Sequence, residues 1–219
     1  TFSSRGLGDV YKRQAFDILV SDLLVGYSDP DSDSLSVIGL TATNGQLVAD
    51  GTTKYRFTPN KDFSGTVNLA YTVTDGKGSN ISATNTITIN AVNDLPVRTA
   101  GDVATLYLLE DEAITSMGLT GVTYSQGGGI DETTTNATKQ TLEYKVKTLP
   151  AATLGIVYKN DGTTAVGATE VLTLAELQGL KFKPTANAYG TGTFEYTVTD
   201  GGTRPARTPA DPQSITETL

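Results

Sequence analysis

Apolar and polar positions alternate along several short runs of the chain. Val67, Leu69, Tyr71 and Val73 occupy every second position of one run, and mostly polar residues lie between them. A period of two predicts a β-strand with one buried face. Turn-forming residues separate the β-rich runs of the first half, which predict strands at 35–40, 46–49, 54–58, 66–74 and 82–92.

Short turn motifs separate these strands, and the sequence between them shows no long helical pattern. Asp50-Gly51 lies between two runs and predicts a hairpin turn, and Asn160-Asp161-Gly162 has the same place in the second half. Residues 104–109 predict a first strand for that half, and residues 173–179 predict one helical turn. The sequence therefore predicts an all-β fold of antiparallel β-sandwich type.

An internal repeat gives the domain organisation. Residues 57–76 and 182–201 align without a gap, and ten of their twenty positions are identical. We therefore predict two tandem sandwich domains. The first spans 15–96 and lacks its first strand, and the second spans 97–219 with a truncated last strand. Residues 1–14 lack the alternating pattern and predict a foreign or disordered terminus.

The repeated Tyr-Thr-Val-Thr-Asp-Gly segment places one tyrosine in the penultimate strand of each domain. Tyr71 and Tyr196 stand two residues before a core valine. Immunoglobulin-like sandwiches place a corner tyrosine there, and an ordinary strand tyrosine is the other interpretation.

Composition excludes several classes of function. The chain of 219 residues has no Cys, His or Trp. It therefore has no Ser-His-Asp or Cys-His nucleophile and no nitrogen- or sulfur-ligated metal site. A net charge of −8 argues against nucleic-acid partners, and no apolar run is long enough to span a bilayer. We expect no enzymatic activity, and oxygen ligands are the chemistry that remains.

Acidic residues gather in two loops of the first domain. Asp29, Asp31 and Asp33 alternate in one short loop, and Asp75 follows the strand at 66–74. Counting strands as in a sandwich places both loops at the same end. A hard cation such as calcium, with about six to eight oxygen ligands, would remove the repulsion between these carboxylates. A solvated Asp-Pro turn is the alternative interpretation.

The order of these motifs resembles a known family. Segments 22–24, 29–33, 71–76 and 92–96 occur in the order seen in bacterial cadherin-like tandem repeats, the calcium-binding, immunoglobulin-like sandwiches of large adhesins. The second half resembles a longer variant. The resemblance implies calcium ligands at the junction between domains, namely Asn93 and Asp94 from the linker and Asp131 and Asp200 from the rim of the second domain. Strand counting places Glu132 at the same rim, as a further candidate ligand.

The resemblance extends to one further acidic residue. Glu110 follows the predicted strand at 104–109. It resembles the family's glutamate that faces a neighbouring repeat from the opposite rim. An exposed acidic loop is the equal alternative.

The resemblance implies a structural function outside the cell. We expect calcium-stiffened repeats of an extracellular or cell-surface bacterial adhesin, which extend a distal adhesive domain. The partners would be adjacent repeats of the same chain, with a surface glycan or protein bound through other domains. An accessory carbohydrate-binding module of a secreted enzyme is the alternative, weakened by the lack of Trp. Saturable binding of an oligosaccharide would favour it.

Overall fold

A computed structural model describes residues 14–128, 132, 140–201 and 213–219. The described chain divides into two compact units between Val92 and Asn93. Unit 1 denotes described residues 14–92, and unit 2 denotes the described residues from 93 onward. Each unit has its own hydrophobic core.

Unit 1 is an antiparallel β-sandwich. Its strands form two three-stranded sheets, in the orders β1-β4-β3 and β2-β5-β6. A one-turn helix, α1 (Val20–Leu23), follows the first strand. The strands are β1 (Phe16–Leu19), β2 (Ser36–Ala42), β3 (Gly45–Asp50), β4 (Lys54–Pro59), β5 (Gly65–Thr74) and β6 (Asn80–Ile89).

The core of unit 1 follows from the alternation along its strands. Val67 and Leu69 of β5 are fully buried, as is Phe57 of β4 in the other sheet. The Phe57 ring packs on Phe16, with 5.4 Å between ring centroids. Side chains from both sheets therefore meet in one apolar layer, as sandwich packing requires.

Unit 2 contains more strands than unit 1 among the described residues. A four-stranded sheet has the order β12-β10-β14-β15, a three-stranded sheet has the order β11-β13-β8, and β7 pairs with β9. One short helix, α2 (Leu174–Gln178), follows β12. The strands are β7 (Val97–Ala100), β8 (Thr115–Ser116), β9 (Thr123–Ser125), β10 (Leu142–Thr148), β11 (Gly155–Tyr158), β12 (Val171–Leu172), β13 (Lys181–Pro184), β14 (Glu195–Asp200) and β15 (Ser214–Thr218).

One strand pair recurs with the same register in both units. Gly45 lies opposite Pro59 in the β3–β4 pair, and Gly155 lies opposite Pro184 in the β11–β13 pair. A Cβ atom on either glycine would lie 2.3 Å from the ring of the phenylalanine two residues before that proline. Only glycine therefore leaves room for the ring, and the sequence repeat is also a repeat of backbone pairing and packing.

Most predicted elements of the first half are confirmed. Five strands lie within a few residues of their predicted bounds, and the hairpin turn after Asp50 joins β3 to β4. The turn at 160–162 is confirmed by its hydrogen bonds, and the helical turn at 173–179 is α2. The all-β, antiparallel fold class is confirmed as well.

The predicted strand at 104–109 is wrong. These residues have no strand pairing, and residues 104–108 make no hydrogen bond within the described chain. Alternation predicts which side chains can share a face, but a strand also requires a neighbour for its main-chain groups.

The two repeated tyrosines do not form a tyrosine corner. The Tyr71 hydroxyl donates to the carbonyl oxygen of Leu23 at 3.0 Å, across 48 residues rather than to its own turn. The Tyr196 hydroxyl lies 2.6 Å from the Tyr124 hydroxyl. Burial raises the pKa of Tyr196 to about 12, so both tyrosines of that pair stay protonated at neutral pH.

Candidate functional site

The two acidic loops of unit 1 lie at the same end of its sheet. Ser36, which begins β2, pairs with Thr74, which ends β5. The two loops also contact each other, because an ion pair joins Asp33 to Lys77 with 2.9 Å between the Asp33 Oδ1 and Lys77 Nζ atoms. Strand counting thus predicted the neighbourhood, and the ammonium group of Lys77 occupies one side of it.

Two of the four aspartates organise their own turns. Asp29 Oδ1 accepts the backbone N–H groups of Asp31 at 2.8 Å and Asp33 at 3.1 Å. Asp75 Oδ1 accepts the N–H of Lys77 at 2.7 Å and of Ser79 at 3.1 Å. The hydrogen bond from Lys77, with those from Ser79, lowers the pKa of Asp75. The structure shows turn-forming carboxylates here, and a metal role for Asp29, Asp31, Asp33 and Asp75 stays a prediction.

A buried polar cluster in unit 2 brings together most of the remaining predicted ligands. The Asn93 cluster consists of Asn93, Asp94, Glu132, Gln140 and Asp200. Glu132 and Asp200 are each only 1% exposed. The Asn93 amide donates to Asp200 Oδ1 at 2.7 Å, and the Gln140 amide donates to Asn93 Oδ1 at 2.6 Å. Asn93 therefore bridges a carboxylate and an amide that lie far from it in sequence.

Main-chain donors complete this arrangement. The backbone N–H of Asp94 donates to Glu132 Oε1 at 2.7 Å, and that of Gln213 donates to Asp200 Oδ1 at 3.2 Å. Burial of a carboxylate is tolerated when it receives hydrogen bonds or an opposite charge. The cluster thereby fixes the start of unit 2, residues 93 and 94, to side chains that lie 38 and 107 residues away.

Two members of this neighbourhood carry no sequence signal of their own. Gln140 stands among polar residues with no motif around it. Gly127 has φ +120°, and a Cβ there would lie 2.7 Å from Asp94 Cβ and 2.9 Å from Glu132 Oε2. A side chain would push the carboxylate away, so this position needs glycine. The glycine run at 127–129 was the one available hint, because such runs mark close backbone approach.

Two predicted ligands remain, Asp131 and Glu110. Asp131 lies outside the described residues. Glu110 is exposed and begins an acidic loop in which Glu112 Oε2 accepts the N–H of Leu109 at 3.1 Å. Its role as a ligand stays a prediction.

The donor chemistry of the Asn93 cluster suits a hard cation, since carboxylate and amide oxygens are the ligands that calcium takes. The arrangement does not by itself form a cage. Across the residues that the structure describes, no three or more acidic side chains converge on one metal position. Calcium bound here would therefore rely on amide oxygens in addition to the carboxylates.

The fold of unit 1 defines a class of protein, the antiparallel β-sandwich modules. A comparison with known families is more specific, because residues 6–90 match the family model for the cadherin-like domain. This segment is therefore a cadherin-like domain, an adhesion-type structural repeat of a family that is generally non-enzymatic and usually extracellular. No curated protein matches the chain.

The family match tests some of the predictions and leaves others untested. It confirms the cadherin-like resemblance for the first domain. It begins within the segment predicted to be foreign, and it ends before unit 2, so the nature of residues 1–14 and of the second repeat stays predicted. The bacterial adhesin context and the sugar-binding alternative also stay predictions. The part of the chain that the structure describes contains no helix long and apolar enough to cross a membrane.

Proposed function

We propose that the chain is a pair of calcium-stiffened structural repeats from an extracellular bacterial adhesin, which extend a distal adhesive domain. The cadherin-like match of residues 6–90 supports the repeat class. The order of the acidic motifs and the absence of cysteine support a bacterial stalk stabilised by metal and packing. The observation that carries the calcium proposal is the buried Asn93 cluster.

The cluster places negative charge where the chain enters unit 2. Glu132 and Asp200 are buried, and the backbone N–H of Asp94 donates a hydrogen bond to Glu132. Calcium would add a positive charge beside these carboxylates. Asn93 holds the orientation of Asp200, and Gln140 holds that of Asn93. The residues would therefore be positioned before the cation arrives, and binding would tighten residues 93 and 94.

The free energy expected from calcium binding is large enough to stiffen the linker. Extracellular modules bind calcium with dissociation constants of about 10⁻⁴–10⁻³ M. At a calcium concentration about a hundredfold above the dissociation constant, binding stabilises the bound form by about 2.7 kcal/mol. A bias of that size converts a loosely held linker into a mostly rigid one.

The test compares melting with calcium and with chelator. In Asp200→Asn the side chain keeps its shape and can still accept from Asn93, but it loses its charge. We expect calcium to raise the melting temperature of the wild type and to raise that of the variant much less. In chelator the variant should be as stable as the wild type or slightly more so, because a buried charge is gone.

The matched control is Asp102→Asn, in which an exposed carboxylate of the same unit is neutralised. It should keep the full calcium response. Scattering at small angles adds a readout of shape, and we expect a longer, narrower distance distribution with calcium that Asp94→Ala abolishes. A wild type whose melting and scattering are identical in chelator and in calcium at about a hundredfold above the expected dissociation constants would overturn the proposal.

A further inference from the structure

Unit 2 contains an apolar cavity of about 690 Å³. Its interior is lined by Phe182 and Phe194 from the sheet strands and their flanks, together with Met117, Leu154 and Leu219. A volume of this size and lining is typical of small-molecule sites, which hold about 300–1,000 Å³. The cavity is separate from the Asn93 cluster, whose residues do not line it.

One wall of the cavity is a segment fixed at its ends and unsupported in its middle. We call residues 104–109 the strap. Gly101 precedes it with φ +75°, and Asp111 follows it with φ +62°. At the far end Asp111 Oδ1 accepts the N–H of Asn187 at 3.0 Å. Between these points, residues 104–108 make no hydrogen bond in the described chain. The segment can therefore move without breaking hydrogen bonds to a neighbouring strand.

The rim of the cavity exposes aromatic surface. Two of the lining residues, Tyr107 on the strap and Tyr189, are each 89% exposed, although both are large side chains that commonly bury their rings. Their rings can contact the body of a bound molecule, and their hydroxyl groups can bond a polar substituent at the entrance. The site is thus apolar within and polar at its mouth.

The negative charge beside the cavity determines which apolar ligands it can bind. Glu110 is the one charged side chain that lines the cavity within the described chain, and the whole chain has a net charge of −8. An anionic group at the mouth would be repelled, whereas a cationic group would be attracted and a neutral one tolerated. We propose that this cavity is a binding site for a ringed, apolar ligand with a neutral or cationic polar group, and that the strap is its movable wall.

The test uses one ring system with three charges, in the full chain and in the presence of chelator so that calcium plays no part. The probes are 1-naphthylmethanol, 1-(aminomethyl)naphthalene and 1-naphthoate. We expect saturable binding of the neutral probe, binding of the cation at least as tight, and binding of the anion weaker by about tenfold. Glu110→Gln should remove most of the difference in affinity between cation and anion.

Control variants locate the binding. Glu143→Gln neutralises an exposed carboxylate on β10 that does not line the cavity, and it should change nothing. Leu108→Trp enlarges a strap residue and should abolish binding of the neutral probe by filling the cavity. Tyr107→Trp introduces a single tryptophan into a chain that has none, and its emission should shift on binding.

Three results would each overturn the proposal. One is the absence of saturable binding of the neutral probe at millimolar concentration. The second is binding that a folded Leu108→Trp leaves intact. The third, which holds even when Leu108→Trp fails to fold, is binding of the neutral probe that leaves the emission of Tyr107→Trp unchanged.

Discussion

The Tyr71 hydroxyl connects the central strand of one sheet to the segment that follows the first strand of unit 1. Its ring is buried in the core, and its O–H donates to the Leu23 carbonyl at 3.0 Å. That carbonyl ends a one-turn helix, where orphan acceptors need partners. A single hydroxyl therefore holds α1 against the sheet, and burial raises the pKa of Tyr71 so that it remains a donor above neutral pH.

Tyr71→Phe should lower the free energy of unfolding by about 1–2 kcal/mol, because the change leaves the Leu23 carbonyl without its donor. Urea denaturation of the full chain measures it. The matched control is Tyr55→Phe, since the hydroxyl of Tyr55 makes no hydrogen bond in the described chain. Equal losses for the two variants would show that the hydroxyl of Tyr71 is not the source of the effect.

At the scale of elements, α2 is stabilised by side chains on both sides of its start. Thr173 and Glu176 form a reciprocal capping box. Lys159 Nζ lies 3.0 Å from Glu176 Oε1 and 2.8 Å from Glu170 Oε1. The backbone N–H of Thr173, with Lys159, lowers the pKa of Glu176 to about 2, and both carboxylates raise the pKa of Lys159.

The signs of these shifts define a pH window. The contribution of Glu176 is present above its unfolded pKa of about 4.3 and is lost as the pH falls toward 2. That of Lys159 is present below its unfolded pKa of about 10.4 and is lost as the pH rises through its higher folded value. Glu176→Gln keeps the cap but not the charge.

We therefore expect Glu176→Gln to lower the melting temperature at pH 7 and to converge with the wild type near pH 2. Calorimetric scans from pH 2 to pH 8 measure this. Glu143→Gln serves as the control, because Glu143 is exposed on β10 and forms no ion pair in the described chain. A gap between Glu176→Gln and wild type that stays constant down to pH 2 would contradict the assignment.

The elements were predictable to different degrees for physical reasons. β5 was predicted almost to the residue, because its apolar positions alternate from Val67 to Val73 and all four of them are buried. The strap has the same kind of apolar content, yet four of its six residues are exposed, with Leu109 78% exposed. Periodicity along a chain describes the faces of an element, but the neighbour that completes a strand comes from the rest of the fold.

The candidate site shows the same division. Strand counting predicted that residues 33 and 75 lie at one end of a sheet and that Glu132 lies at the rim of the second domain. Asn93, Asp94 and Asp200 were predicted from the resemblance to cadherin-like repeats. Lys77 was missed because a lysine between two glycines is typical of a solvated turn. Gln140 was missed because it contacts the site only through tertiary structure, 47 residues from Asn93 in sequence. Gly127 lies in a visible glycine run, but its close approach to Asp94 and Glu132 comes from the fold.

At the scale of the whole molecule, the first fourteen residues invite a direct test. The family match begins at residue 6, whereas the alternating pattern begins near Ala15. Deleting residues 1–14 should change the melting temperature by no more than about 2 °C, as removal of a peripheral terminus does. A loss of tens of degrees would show that this segment contributes a strand of the domain.

Two strand pairs with one register in a single chain create a hazard during folding. β4 and β13 carry the same Phe-x-Pro signature, and each accepts a glycine-bearing strand in the same frame. A nascent chain could therefore pair the strand of one repeat with the partner of the other, which is a characteristic misassembly of repeat proteins. Loop length opposes the exchange. β3 and β4 are joined by a tight turn, whereas the path from β11 to β13 passes through β12 and α2. Local closure is faster for the short hairpin, so the first pair forms before the competing strand is available.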